Sequence, residues 1–343
     1  MRFLSEQEAG VLTALQRGVP ITEYPFKELG LAYGLAEAEV LDFIRQLRVD
    51  GRLRRFGAIF DARRLGYRSV LCAVRVPTEQ LAEVAARVTP VSGVTHVYER
   101  GWPLELARDS VGGPRACCWP NLWFTLAAPA STYLEELDTI RTACRPYALH
   151  ELPALKRFKI DVIFDLRTRE RDESVAARSF VEASQSLILT LTPPQKLLVR
   201  LCGGDMPITA RFFLALATQL GISEQALLEQ LRDWHAQGII RRIGPLLRHR
   251  EIGFKANGMC CWDLPPEEVL AAGRRVAEFA EVTHCYERPW TEVFPFRLYA
   301  MIHTSAWSDT QRLFERITSA TGLQGGQLMF SLTEFKKSSM QFF

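Results

Sequence analysis

The chain has 343 residues, 48% of them hydrophobic and 24% charged, with a formal net charge of +3 and eight cysteines. Such a length suggests two to three domains of ordinary globular composition, and so small a charge argues against a dedicated polyanion binder. The sequence shows no basic-then-apolar leader, no bilayer-length apolar run and no Cys-x-x-Cys, so the expectation is a cytoplasmic protein with reduced, buried thiols.

Ser5 is placed to cap the first helix, with apolar residues following at helical spacing. Residues 3–53 read as three short helices, the last over Glu37–Val49, and Gly51 sits where that helix ends. Arg54-Arg55 then lead into a short ribbon, which completes the outline of a winged helix-turn-helix over residues 1–67. Residues 68–166 alternate: strand 69–76, helix 79–88, strand 93–100, strand 121–127, helix 132–144 and strand 156–166. That order, βαββαβ, is the ferredoxin-like split fold. The connection 101–120 is long and lies beside a strand rich in polar groups, so it is expected to be a lid or pocket rim. Residues 167–187 are charged and lack an early apolar pattern, as suits an exposed linker or a loosely held helix.

The chain then repeats itself. Residues 1–67 overlay 188–254 without a gap: Pro20-Ile21-Thr22 on Pro207-Ile208-Thr209, Gly51 on Gly238, and Arg54-Arg55-Phe56-Gly57 on Arg241-Arg242-Ile243-Gly244. Thr192 takes the place of Ser5, and 223–237 is the last helix of the second winged unit. Residues 255–343 repeat the split fold with segments 257–264, 267–279, 281–288, 297–303, 306–320 and 327–342. The fold class is therefore α+β, a tandem repeat of winged helix-turn-helix plus ferredoxin-like domain, at a period far too long for a solenoid. A ferredoxin-like sheet needs its open face covered. The two units are expected to pair within the chain, with homodimerisation through the helical parts as a further step.

One stretch recurs almost unchanged: Val-Thr-His-Val-Tyr-Glu-Arg at 94–100 and Val-Thr-His-Cys-Tyr-Glu-Arg at 282–288. On a strand, alternate residues share a face, so His96, Tyr98 and Arg100 point one way, as do His284, Tyr286 and Arg288. An acid/base, a phenol and a permanent cation on one face, twice over, suit the walls of a site for an anionic ligand. His303, on a neighbouring predicted strand, can reach the same place, whereas His150, His235 and His249 fall near turns or helix ends and read as surface residues. Arg54, Arg55, Arg241, Arg242 and Arg297 extend the supply of guanidinium groups, which bind carboxylates through paired hydrogen bonds. Lys156-Arg157 and Lys336-Lys337 form another recurring basic pair. Acidic residues crowd the helices that would read DNA: Glu37, Glu39 and Asp42 in the first unit, Glu224 and Glu229 in the second. They would repel phosphates, so sequence-specific DNA binding is not expected. Phosphate-cradling loops, a dinucleotide fingerprint and a nucleophile elbow are all missing.

A winged helix joined to a ferredoxin-like domain resembles the Lrp/AsnC plan, and within it the sequence resembles the siroheme decarboxylases. The residues carrying this are Arg-Arg-Phe-Gly-Ala-Ile-Phe-Asp with Leu-Gly-Tyr (54–67), both His-x-Tyr-Glu-Arg strands, and Pro-Asn-Leu-Trp-Phe-Thr-Leu (120–126). Leu-Pro-Ala-Leu-Lys-Arg-Phe-Lys-Ile (152–160), Arg-Leu-Tyr-Ala-Met-Ile-His (297–303) and Glu-Phe-Lys-Lys (334–337) carry it too. It spans both units and resembles the fused form of a two-subunit enzyme. The resemblance implies removal of the C12 and C18 acetate carboxylates of siroheme to give 12,18-didecarboxysiroheme, for d-type or alternative haem biosynthesis. It also implies no cofactor beyond the iron tetrapyrrole itself. His96, His284, Tyr98 and Tyr286 are then the catalytic candidates, either histidine being a proton donor or an axial iron ligand. Arg54, Arg55, Arg100, Arg241, Arg242, Arg288, Arg297, Asn121, Trp123 and His303 are candidates for substrate binding. Trp102, Trp119, Trp290 and Tyr299 join Trp123 as candidate flat walls for the macrocycle. Asn121 in one unit stands where the other has Arg297, so the half-sites are not interchangeable. The alternatives are a ligand-responsive transcription regulator and a non-catalytic haem carrier.

Overall fold

A computed structural model describes residues 4–103, 119–160, 163 and 188–343. The expected rim 104–118 and the linker 167–187 lie outside those residues. The first helical part comprises α1 (Glu6–Arg17), α2 (Pro25–Tyr33) and α3 (Glu37–Val49), and the second α6 (Pro193–Gly203), α7 (Phe212–Leu220) and α8 (Glu224–Ala236). Ser5 caps α1 as expected: its Oγ accepts the Glu8 N–H at 3.1 Å and Glu8 Oε2 accepts the Ser5 N–H at 2.8 Å. Such a reciprocal cap satisfies two donors that a helix start would leave bare.

The two wings pair with each other. Strand β1 (Leu53–Phe60) runs antiparallel to β7 (Ile240–Leu247), with Gly57 opposite Gly244 at the centre. A Cβ on Gly57 would sit 2.4 Å from the Gly204 carbonyl oxygen, and one on Gly244 the same distance from that of Leu15. The repeated Arg-Arg-x-Gly is thus explained by a helix end of the opposite unit lying against the ribbon backbone. The helical parts share one core, where Phe26, Phe56 and Phe212 meet edge to face at centroid distances of 5.4–6.0 Å.

The remaining strands form one sheet in the order β5-β2-β4-β3-β11-β8-β10-β9-β6. The first unit supplies β2 (Tyr67–Val74), β3 (Val94–Gly101), β4 (Leu122–Pro129), β5 (Leu149–Leu152) and β6 (Lys156–Ile160). The second supplies β8 (Ala256–Trp262), β9 (Val282–Glu287), β10 (Leu298–Thr304) and β11 (Gly326–Lys337). The last strands do not close their own units as the sequence suggests. Residues 149–152, unanticipated as a strand, take the fourth place beside β2, while β6 crosses over to pair with β9. Correspondingly, β11 pairs with β8 in its first half and with β3 of the other unit in its second. Only residues 153–155 separate β5 from β6, so the chain links the two ends of the sheet and wraps it around an interior.

Helices α4 (Leu81–Val88) and α5 (Tyr133–Cys144) cover the outer face of the first four strands. Helices α9 (Pro266–Glu278) and α10 (Trp307–Thr321) cover the second set. The inner faces meet in an apolar cluster drawn from both units, including Trp123, Met259, Phe294, Tyr299 and Met329. The described cysteines are free and buried.

Candidate functional site at the sheet interior

Strand parity decides what enters the interior. Val97 on β3 and Cys285 on β9 pack beneath the outer helices. His96, Tyr98 and Arg100, and His284, Tyr286 and Arg288, therefore project inward, in near-identical arrangements. Each His–Tyr pair has ring centroids 6.2 Å apart. The Arg100 guanidinium lies 5.5 Å from the Tyr98 ring, and that of Arg288 lies 5.0 Å from Tyr286 and 5.6 Å from Tyr299.

The interior is positively charged, and its imidazoles are neutral. Burial first, then Lys337, Arg54, His284 and Arg100, push His96 down to about 4. Burial, Arg241 and Arg288 do the same to His284, also to about 4. Burial raises both tyrosines, so they remain phenols. Arg100 is 7% exposed, and its Nε and Nη1 have no hydrogen-bond partner among the described residues. Its Nη2 lies 3.9 Å from Met301 Sδ. Groups of this kind are rarely left unpaired without a reason.

The other arginines divide by parity as well. Arg54 turns toward Tyr98 and Glu334, and burial lowers its pKa. Arg241 turns toward His284 and Tyr286 and meets Asp61 Oδ2 at 3.0 Å. Burial alone would raise Asp61, but Arg241 and Arg63 overcome it and hold the carboxyl at about 2. Arg157 also approaches Asp61, at 3.7 Å.

Arg55 and Arg242, one residue on, are engaged by helix ends, although Arg55 Nε also meets, at 3.0 Å, the Ser339 hydroxyl that Arg54 Nη2 reaches at 3.3 Å. Arg55 donates to the Gly203 and Gly204 carbonyls at the end of α6, and Arg242 to the Gln16 carbonyl at the end of α1. Asn121 is likewise occupied elsewhere, exchanging hydrogen bonds with the Val76 backbone at 2.9 and 2.7 Å. Arg297 donates to the Leu264 carbonyl at 3.2 Å and lies over Trp290, in a shallow pocket of about 450 Å³ with Asp263 and Pro265. Trp123 does face the interior, buried against Phe294 with its Nε1 bonded to the Pro120 carbonyl at 2.7 Å. Trp119 and Tyr299 pack in the same cluster, whereas Trp102 packs on the outer core of the second unit and Trp290 is 43% exposed.

The basic pairs are not equivalent in space. Lys336 and Lys337 lie opposite Val97 and His96, but Lys156 and Arg157 lie opposite Glu287 and Tyr286. By register, Glu334 beside Tyr98 corresponds to Arg157 beside Tyr286, so the charges are distributed differently in the two halves.

His249, read as a surface residue, is 9% exposed. Its ring centroid is 5.4 Å from that of His303, and its Nδ1 is 2.8 Å from Lys337 Nζ. It follows β7 in a turn that folds over the sheet, a placement local sequence does not encode. The repeat offers only the hint that residue 249 stands where the first unit has Ala62. His303 is buried inside, as its strand position allowed, while half-buried His150 lies on β5 opposite Ala73 and His235 ends α8 exposed. A surface cleft of about 910 Å³ is lined by Glu39, Asp42, Arg52, Arg250 and Lys255, and by none of these strand residues. Among the described residues no His/Cys/Asp/Glu cluster is arranged to hold a metal ion. Among the described residues no helix is long and apolar enough to cross a membrane.

The neighbouring side chains thus supply several guanidinium groups, those of Arg100 and Arg288 without a counter-ion among the described residues, together with two neutral imidazoles and an apolar wall. Comparison with known proteins places this arrangement. Residues 8–54 and 195–241 match the siroheme decarboxylase NirDL-like HTH domain, and residues 64–159 and 251–336 match the AsnC-like ligand binding domain. The siroheme decarboxylase of Hydrogenobacter thermophilus is 33% identical over 97% of this chain and 94% of its own. The crystal structure of the siroheme decarboxylase NirDL is 30% identical, with a TM-score of 0.69, covering 99% of this chain and 94% of that one. The same protein in complex with an iron-uroporphyrin III analogue matches equally well, over 98% of this chain. With both domain types present twice along its length, the chain belongs to the siroheme decarboxylase family of carboxy-lyases, in its fused form.

Proposed function

We propose that the interior binds siroheme and that the enzyme removes the carboxylates of its C12 and C18 acetates to give 12,18-didecarboxysiroheme, in d-type or alternative haem biosynthesis. No cofactor beyond this iron tetrapyrrole takes part. The observation that carries the reading is Arg100: a buried guanidinium beside His96 with two nitrogens that find no partner, and no carboxylate to meet it, among the described residues. A carboxylate-fringed macrocycle supplies that partner. The related NirDL structure with an iron-uroporphyrin III analogue supports a ligand of this class.

An acetate on a pyrrole carbon cannot lose carbon dioxide unless the bonding pair has somewhere to go. Protonating the adjacent ring carbon provides the sink. The C–C bond then breaks, its pair enters the ring, and carbon dioxide departs from an exocyclic methylene. That methylene takes a proton to become methyl as the ring proton returns to its donor. Each acetate thus consumes one proton and releases one carbon dioxide.

His96 and His284 are placed for these transfers, since imidazole exchanges protons near neutral pH. They are neutral in the free site, so the substrate's negative charge is what brings protons onto them. Arg100 and Arg288 hold the acidic side chains, Arg54 and Arg241 serve the fringe, and Tyr98 and Tyr286 orient the histidines or donate to a carboxylate. The apolar wall of Trp123 and Tyr299 favours conversion of a carboxylate to a neutral gas.

Anaerobic incubation of the protein with siroheme, followed by mass analysis, tests this. Loss of one and then two molecules of carbon dioxide is the expected result. An unchanged ligand would mean a carrier, and tight, sequence-dependent retention of genomic DNA fragments at low salt would mean a regulator.

A further inference from the structure

The two histidines are presented alike, yet only one is supported from behind. Thr283 Oγ1 lies 3.2 Å from the Met301 carbonyl oxygen, 3.1 Å from His284 Nδ1 and 3.2 Å from His303 Nδ1. A hydroxyl has one proton to give and two lone pairs to receive with. The Met301 oxygen can only accept. All three contacts become hydrogen bonds in one arrangement alone: the hydroxyl donates to Met301, and both imidazoles donate from Nδ1.

The next shell agrees. His303 Nε2 is then bare and accepts from Asn257 Nδ2 at 3.1 Å, and Asn257 Oδ1 accepts the Ser331 hydroxyl at 3.2 Å. Donors and acceptors alternate through these contacts without a conflict.

The first unit lacks this support. Thr95 Oγ1 is 2.9 Å from His96 Nδ1, but it has no second partner among the described residues, so its proton can turn either way. By register, Ala127 and Ser69 stand where the second unit has His303 and Asn257.

We infer that Thr283 and His303 are positioning residues that hold His284 in a single tautomer, protonated on Nδ1 and bare on Nε2, whereas His96 is free to exchange between tautomers. His284 therefore meets the substrate as a base that must receive a proton before it gives one. His96 presents either a donor or an acceptor. This division of roles rests on the proposed decarboxylation. The tautomer itself does not, because it exists in the substrate-free protein.

The test uses the full chain with ¹⁵N-labelled histidine. In the substrate-free protein the bare ring nitrogen of His284, assigned by its loss in His284→Gln, is expected to be Nε2. Thr283→Val keeps the shape and removes the hydroxyl, so it should give a mixture of tautomers. Thr283→Val should also lower kcat for siroheme about 10–100-fold with KM within about twofold, the usual weight of a supporting hydrogen bond behind a functional histidine. Thr283→Ser should restore both. His303→Ala, which places the first unit's alanine at this position and does not depend on Thr283→Val folding, should loosen the tautomer while Thr283 stays in place. A bare Nδ1 in the wild type would overturn the assignment. A tautomer that shifts in Thr283→Val without any fall in kcat would overturn the positioning role. Failure of the wild type to decarboxylate siroheme would end the proposed reaction and leave the tautomer measurement to stand on its own.

Discussion

Replacing Arg100 with Met should make the substrate-free protein more stable and the enzyme worse. The guanidinium is 7% exposed, and burial lowers its pKa from the ordinary 12.5 to about 10. The groups facing it are Tyr98, Cys260 and Cys261, all neutral at pH 7 because burial raises each of them. At about 1.4 kcal/mol per tenfold, that depression corresponds to about 3 kcal/mol against the charged form. A methionine of similar length keeps the packing and removes the stranded charge, so a gain of about 1–3 kcal/mol is expected in denaturant unfolding of the free protein. With siroheme the sign reverses. A charge-assisted hydrogen bond is worth about 1.5–3 kcal/mol, so kcat/KM in the anaerobic decarboxylation assay should fall by about tenfold to a hundredfold. If Arg100→Met destabilised the free protein and left kcat/KM intact, Arg100 would be a structural residue and the argument for an anionic ligand would fail.

Other expectations follow from the same geometry. His96→Ala and His284→Ala should each reduce turnover by about two to four powers of ten, the range for acid–base assistance; near-normal rates in both would remove the proton-transfer role. Stability of the free protein should fall as pH drops. His96 and His284 titrate at about 4 when folded against about 6.5 unfolded, so between those values the unfolded chain binds more protons. The stabilisation is complete above about pH 6.5 and lost toward about pH 4, at most about 3 kcal/mol per ring before allowance for partial exposure. Thermal melts across that range check it, and the slope should flatten with siroheme bound. Arg55→Ala should cost about 1–3 kcal/mol by stranding the carbonyls at the end of α6, with little change in KM. A large KM effect would return Arg55 to the site.

Much of this was legible because strand parity is a local rule. The repeated His-x-Tyr-Glu-Arg fixed which side chains share a face, and the structure turns that face inward. The same rule, applied to Arg54-Arg55 and Arg241-Arg242, could have separated the inward from the outward member. Non-local pairings were not legible. Nothing in the sequence of 149–166 says that four residues complete one sheet and the next strand joins the other unit. Each choice depends on an edge created far away in the chain. His249 was misread for the same reason, since a turn's exposure depends on what it folds onto. Apparent repeats also misled where insertions intervene: Lys156-Arg157 and Lys336-Lys337 look alike in sequence, but β11 carries its pair past Tyr98 to reach His96.

The exchange of last strands explains why the site needs both units. Lys337 stands opposite His96 only because β11 crosses to β3, and Arg157 stands opposite Tyr286 only because β6 crosses to β9. Each His–Tyr pair therefore meets charge from the other unit: His96 feels Lys337 from the second, and Tyr286 feels Arg157 from the first. Separating the units would strip each half-site of its crossing strand as well as its facing wall. It would also leave a ladder edge bare, the kind of edge that proteins cover. A fused chain keeps the two crossing strands at fixed stoichiometry, and it lets the halves diverge. One could acquire His303 and Asn257 behind its histidine while the other retained Ala127 and Ser69. The two decarboxylations proposed for one macrocycle would present different acetates in different surroundings, and unequal half-sites suit that sequence of events better than identical ones would.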